Sequence, residues 1–230
     1  MSAPVTRDAL QGLYPFLHGE SQNPQRLEQA LLESVKQKSQ DSIETKRRFF
    51  AENGTRLVAA ARALAEVYRR GGRLLCMGNG GSSCDAAHIA VEFQHPVTAG
   101  RPALPAMNLM GDTAMMTAVG NDVGFDQVFA RQVIAHGRRG DALVGMSTSG
   151  NSDNLLNAFM QAKKLGMTTI GFAGHDGGAM AHSPHLDHCL VVASDSIHRV
   201  QETHVACYHI LWDLVHTLLA DNRGSAEAAS

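Results

Sequence analysis

Apolar residues fall along this chain in two alternating rhythms. From residue 73 onward, short continuous apolar runs are separated by stretches in which apolar positions recur every three or four residues. The runs at 74–77, 106–110, 142–146, 168–173 and 189–193 read as strands buried on both faces. The intervening stretches at 83–93, 112–119, 125–133, 153–165 and 197–219 read as helices, the last long and the fourth stopped by Gly166. A loop at 95–105 carries Pro96, Pro102 and Pro105. A second loop falls at Gly120-Asn121-Asp122, and 174–178 turns into a short helix. Strand and helix in alternation predict a three-layer α/β fold, with a parallel sheet of about five strands covered by helices on both sides.

Before residue 73 the pattern is helical throughout. Residues 26–52 show a thin stripe of Leu27, Ala30, Leu31 and Val35, with Ser34 and Lys38 on the same face. So narrow a stripe must pack on a partner subunit or on the chain's own core. Asn53-Gly54 reads as a break. A stronger amphipathic helix follows over 55–70 (Leu57, Val58, Ala61, Leu64, Ala65, Tyr68) and ends at Gly71-Gly72, so the two form a helical hairpin. Residues 1–25, with Pro4, Pro15 and Pro24, read as a flexible arm. Residues 26–222 read as one domain and 223–230 as a disordered Ala/Ser tail.

Composition narrows the picture. Of the 230 residues 44% are hydrophobic and only 18% charged, which leaves little charged surface and suits burial between subunits. The net charge of −2, with no basic run beyond Lys46-Arg47-Arg48, argues against broad nucleic-acid binding. No apolar run reaches the length of a membrane span and no signal-peptide core opens the chain, so a cytoplasmic protein is expected. Cys76, Cys84, Cys189 and Cys207 show no paired spacing and read as reduced thiols.

Two predicted strands end in loops of small residues, Gly78-Asn79-Gly80-Gly81-Ser82-Ser83 and Ser147-Thr148-Ser149-Gly150-Asn151-Ser152. In an open parallel sheet ligands bind beyond the carboxyl ends of the strands. Hydroxyls and helix-start N–H groups there can surround a phosphate without a lysine, which suits a sugar phosphate that must be released. Ordinary caps and turns would look the same singly. Two at one sheet edge favour the phosphate. Neither loop is a Walker A or a dinucleotide turn. His88 and Glu92, four apart, share one helix face beyond the first loop. Alone they could be a surface pair, as His209 could be a core histidine. The run His182, His185, His188 is interrupted by Pro184 and reads as no metal site.

In this order, GNGGSS with Asp85, His88 and Glu92, then Val119-Gly120-Asn121-Asp122, STSGNS, Asp176-Gly177-Gly178 and the helix RVQETHVACYHIL resemble the sugar isomerase (SIS) domain. The resemblance covers residues 27–219 and is nearest to the phosphoheptose isomerase group. It implies interconversion of sedoheptulose 7-phosphate and D-glycero-D-manno-heptose 7-phosphate through an enediol, for surface-glycan (lipopolysaccharide) heptose. It also implies one zinc per subunit on His88, Glu92, Gln201 and His209. Glu92 and His209 inherit the acid–base roles. Asn79, Gly80, Gly81, Ser82, Ser83, Ser147, Thr148, Ser149 and Ser152 would hold the phosphate, with Asp112 and Gln201 near the sugar. The family further implies a homotetramer with interfacial active sites. Three positions depart from the family pattern: Val91 and His198, where acidic residues are usual, and Pro96, where an arginine is. The alternatives are a sugar-phosphate sensor without turnover and an adaptor like the replication-initiation regulator of the same fold, which lacks the matching glutamate.

Gln201 and His209 stand eight residues apart, about 12 Å along a helix axis. Four bonds near 2.1 Å then require both side chains to lean toward one point, or some ligands to come from a neighbouring subunit.

Overall fold

A computed structural model describes residues 24–220. Most of the expected arm and the whole expected tail lie outside these residues, but Pro24 and Gln25, expected in the arm, are helical. The chain divides into two units, one ending at Asp41 and the other beginning at Ser42.

Helix α1 runs unbroken over Pro24–Arg69, so the expected hairpin is a single helix. Asn53 does not break it. Its side chain is buried and its Nδ2 donates to the Phe49 carbonyl one turn back at 3.2 Å, adding a bond within the helix. Gly54 costs propensity, but packing of Phe49, Leu57, Ala61 and Leu64 into the core outweighs roughly 1 kcal/mol. The expected stop at Gly71-Gly72 is present, with Gly71 in the left-handed region at φ 77°. Within the first unit Leu27, Leu31, Leu32 and Val35 are exposed.

The rest alternates as expected: β1 (Leu74–Gly78), α2 (Gly81–Gln94), β2 (Ala106–Asn108), α3 (Thr113–Asp122), a 3-10 turn (Phe125–Gln127), α4 (Val128–His136), β3 (Ala142–Ser147), α5 (Asp153–Leu165), β4 (Thr168–Gly174), α6 (Gly178–His182), β5 (His188–Val192) and α7 (Ile197–Ala220). One expected loop is missing. Gly120, Asn121 and Asp122 belong to α3, which Asp112 caps by accepting from the Met115 N–H at 2.9 Å.

The five strands form one parallel sheet in the order β2-β1-β3-β4-β5, with Leu75 opposite Leu143 and Val144 opposite Ile170. β1 and β3 are buried along their whole length. One face packs on the second half of α1 and on α2 and α7, around Leu64, Ile89 and Leu211. The other packs on α4 and α5, around Phe129 and Phe159. The strand order reverses between β1 and β3, and the carboxyl-end crevice at such a switch point is where open α/β sheets bind ligands.

Candidate active site

The two small-residue loops leave β1 and β3 side by side at that switch point. Each leads into a helix without a side-chain cap, at Gly80 for α2 and Ser152 for α5. Uncapped helix starts favour an anion. After β3, the Ser147 hydroxyl lies 2.9 Å from that of Ser152 and 3.5 Å from that of Ser149, so three hydroxyls share one small volume. Ser147 is buried, and the Gly150 N–H donates to its Oγ at 3.1 Å, fixing its position. Thr148 is half-buried and Ser149 exposed beside it. After β1, Ser83 Oγ donates to the Gly80 carbonyl at 2.6 Å, while Ser82 is buried.

Gly78 is where β1 turns into this loop. A Cβ there would sit 2.3 Å from the Ser82 carbonyl oxygen, so only glycine lets the chain pass. The turn after β4 braces the second loop: Ala179 N–H donates to Asn151 Oδ1 at 2.8 Å and Met180 N–H to the Gly150 carbonyl at 3.0 Å.

Asn79 behaves differently from a free ligand group. Its amide pairs with that of Asn154 in both directions, each bond 2.9 Å, locking the first loop to the start of α5. Asn154 is only 3% exposed. Asp112 is an exposed cap whose carboxylate already accepts from Met115. Gln201 lies against the first loop: a Cβ on Gly81 would stand 2.3 Å from its Nε2.

Helix α2 carries His88 and Glu92 toward α7, which brings His209. One ligand atom from each of the three lies within 4.8 Å of the others, and no other such group of three occurs among the described residues. His88 Nε2 stands 3.2 Å from Glu92 Oε1, and the His88 and His209 rings are 5.0 Å apart at their centroids. Two ligand atoms bonded tetrahedrally at about 2.1 Å are about 3.4 Å apart. Two imidazoles and a carboxylate at this spacing therefore fit a divalent metal of zinc's preference after small side-chain adjustments. A single chain supplies all three, so these donors need no neighbouring subunit. The 182–188 histidines form no such group.

Both helices are tied together here. Trp212 Nε1 donates to the Glu92 carbonyl at 2.9 Å, and the Tyr208 hydroxyl meets His88 Nδ1 at 2.7 Å. Asp85, on the same face of α2, is 8% exposed, and its Oδ2 meets no hydrogen-bond partner among the described residues. Burial pushes its carboxyl up to about 6, against a smaller opposite pull from His88. Burial and the charges of Asp85 and Glu92 push the Tyr208 hydroxyl well above its usual range, so it stays neutral.

Asn154, Tyr208 and Trp212 were not singled out from the sequence. Tyr208 stands seven residues after Gln201 and so on its helix face. That was the one signal available, because the partners lie 75 and 120 residues away.

Residues 30–174 match the model of the SIS domain family. The chain is 46% identical over 192 residues to a phosphoheptose isomerase of Desulfovibrio desulfuricans, covering 83% of this chain and 90% of that protein. It is 44% identical over 178 residues to one of Roseiflexus sp., covering 77% and 89%. Among solved structures, a phosphoheptose isomerase from Francisella tularensis superposes with a TM-score of 0.77 at 36% identity, over 81% of this chain and 98% of that one.

Proposed function

The chain belongs to the SIS domain family, among its phosphoheptose isomerases, and we propose that the switch-point site performs their reaction with Glu92 and His209 as its proton carriers. The enzyme is an aldose–ketose isomerase, converting sedoheptulose 7-phosphate to D-glycero-D-manno-heptose 7-phosphate for heptose biosynthesis. The observation that carries the residue assignment is the convergence of His88, Glu92 and His209, on helices adjoining a two-walled cup of hydroxyls and helix starts.

Isomerisation moves one proton between adjacent carbons and another between their oxygens. Glu92, a half-buried carboxylate, takes the carbon proton and returns it to the neighbouring carbon of the enediol. His209, an imidazole with a donor and an acceptor nitrogen, serves the oxygens. Hydroxyls of Ser147, Thr148, Ser149 and Ser152, with the 80–83 loop, hold the phosphate and set the register of the carbon chain. Asp112 and Gln201 face the sugar hydroxyls. His88, Glu92 and His209, with Gln201 as a fourth donor, would hold zinc, which supplies Lewis-acid stabilisation of the enediolate charge.

The same reading makes the enzyme a cytoplasmic homotetramer with active sites at subunit interfaces. No helix among the described residues is long and apolar enough to cross a membrane. Val91 and Ile210, which flank Glu92 and His209, are 50% and 39% exposed. A partner subunit would cover such apolar positions beside a polar site. The heptose 7-phosphate product serves the synthesis of lipopolysaccharide heptose.

The test is direct. The purified protein is incubated with sedoheptulose 7-phosphate and the aldose followed by NMR. Conversion is expected. No conversion, with or without added zinc, would favour a sugar-phosphate sensor.

A further inference from the structure

The contact between Tyr208 and His88 has no part in the proton transfers above. Tyr208 is 1% exposed, so its hydroxyl has been taken out of water and needs a partner inside the protein. That partner is His88 Nδ1, at 2.7 Å. The bond spans α2 and α7. It leaves the other nitrogen of the same ring, Nε2, facing Glu92 Oε1 at 3.2 Å. The Tyr208 ring also packs on the His209 ring, with centroids 4.8 Å apart, and lies edge-on to His88 at 5.4 Å. One side chain thus touches both histidines of the converging group. Asp85, Glu92, His209 and Tyr208 are ionisable neighbours of His88, and among the described residues the hydrogen bond at Nδ1 is made by the Tyr208 hydroxyl.

We propose that Tyr208 is a positioning residue that holds the His88 ring through Nδ1, so that Nε2 is the nitrogen presented to the metal alongside Glu92 and His209. A histidine ligand needs such a partner on its second nitrogen to fix both ring plane and tautomer. A tyrosine hydroxyl can accept from Nδ1–H when Nε2 is given to a metal. Asp85 offers an unspent carboxylate oxygen on the same face of α2, one turn before His88. The inference rests on the metal reading of the site.

The test uses the full-length protein with histidine nitrogens labelled, in wild-type and Tyr208→Phe forms, each with and without zinc. Tyr208→Phe removes one oxygen and keeps the ring packing. Zinc affinity is read by competition with a chromophoric chelator, and the His88 ring by nitrogen NMR. In the wild type we expect zinc on Nε2 and a slowly exchanging Nδ1 proton. In the variant we expect about 10–100-fold weaker zinc binding and loss of that proton signal. Equal affinities within twofold and unchanged ring signals overturn the proposal, as does zinc on Nδ1 in the wild type. If the wild type takes up no zinc, the metal reading fails. The metal-free spectra then decide: one ring state in the wild type against mixed states in the variant still supports positioning, and identical spectra refute it. Because the wild-type spectrum is itself a test, a variant that failed to fold would not shield the proposal.

Discussion

Replacing Asn154 with alanine removes three hydrogen bonds at once. Two are the reciprocal 2.9 Å bonds with the Asn79 amide, and the third is the Leu155 N–H to Oδ1 bond at 3.0 Å. At about 1 kcal/mol net for each, the gross loss is about 3 kcal/mol. Asn79 is half-buried and regains water, so about 2 kcal/mol remains. The same lock holds the 79–83 loop to the start of α5, beside the 147–152 loop that the proposed function makes the other wall of the phosphate site. If substrate binding must restore that order, a loss of 2 kcal/mol corresponds to a roughly 30-fold rise in KM. Urea unfolding at fixed protein concentration gives the stability term, since any oligomer makes it concentration-dependent. Steady-state kinetics gives the second term. Asn79→Ala and the double variant complete a cycle whose coupling should be about 1–2 kcal/mol, the worth of the two shared bonds. A coupling below about 0.3 kcal/mol would mean the amides act independently, and the lock would be refuted.

Two other outcomes follow from the packing. Burial lowers the fully buried His204 from 6.5 to about 4, opposed in part by its bond to the Ala173 carbonyl. The folded state therefore binds fewer protons than the unfolded chain between these values. Stability is complete above pH 6.5 and falls by about 3 kcal/mol as pH drops toward 4. His204→Gln should flatten that part of a urea-midpoint pH series, and an unchanged slope would remove His204 as its cause. In Gly81→Ala the new Cβ meets the flexible end of Gln201 at 2.3 Å rather than backbone. Thermal unfolding should shift by only a few degrees while kcat/KM drops at least tenfold; unaltered kinetics would show that Gln201 has no role in the site.

The strands were legible because both faces of β1 and β3 are buried, which writes an unbroken apolar run into the sequence. α5 matches its expected span because Gly166 ends it in the left-handed region, at φ 77°. Asn53-Gly54 misled, since a side chain that bonds back to Phe49 turns a breaker into part of the helix. Gly120 misled for a related reason: capped at Asp112, α3 runs past it to Asp122. At the site, i,i+4 spacing placed His88 and Glu92 on one face, but nothing local to His209 reveals that it meets them. That link came through the resemblance. The Asn79–Asn154 and Tyr208–His88 contacts join residues far apart in sequence, and no periodicity encodes them. His88, Glu92 and His209 converge within one chain because α2 and α7 pack closely enough to be joined by Trp212.

The central claim is that Glu92 carries the proton between carbons. Run in heavy water, the wild type should convert sedoheptulose 7-phosphate to the aldose and place deuterium on the receiving carbon in the fraction of turnovers in which the protonated Glu92 exchanges with solvent before returning its proton, both visible by NMR. Glu92→Gln keeps the shape and one acceptor oxygen but cannot accept a proton. It should lose both conversion and deuterium uptake by at least about 1,000-fold, within the range of general acid–base catalysis, while still binding the sugar phosphate. A variant that isomerises and exchanges at the wild-type rate would contradict the account.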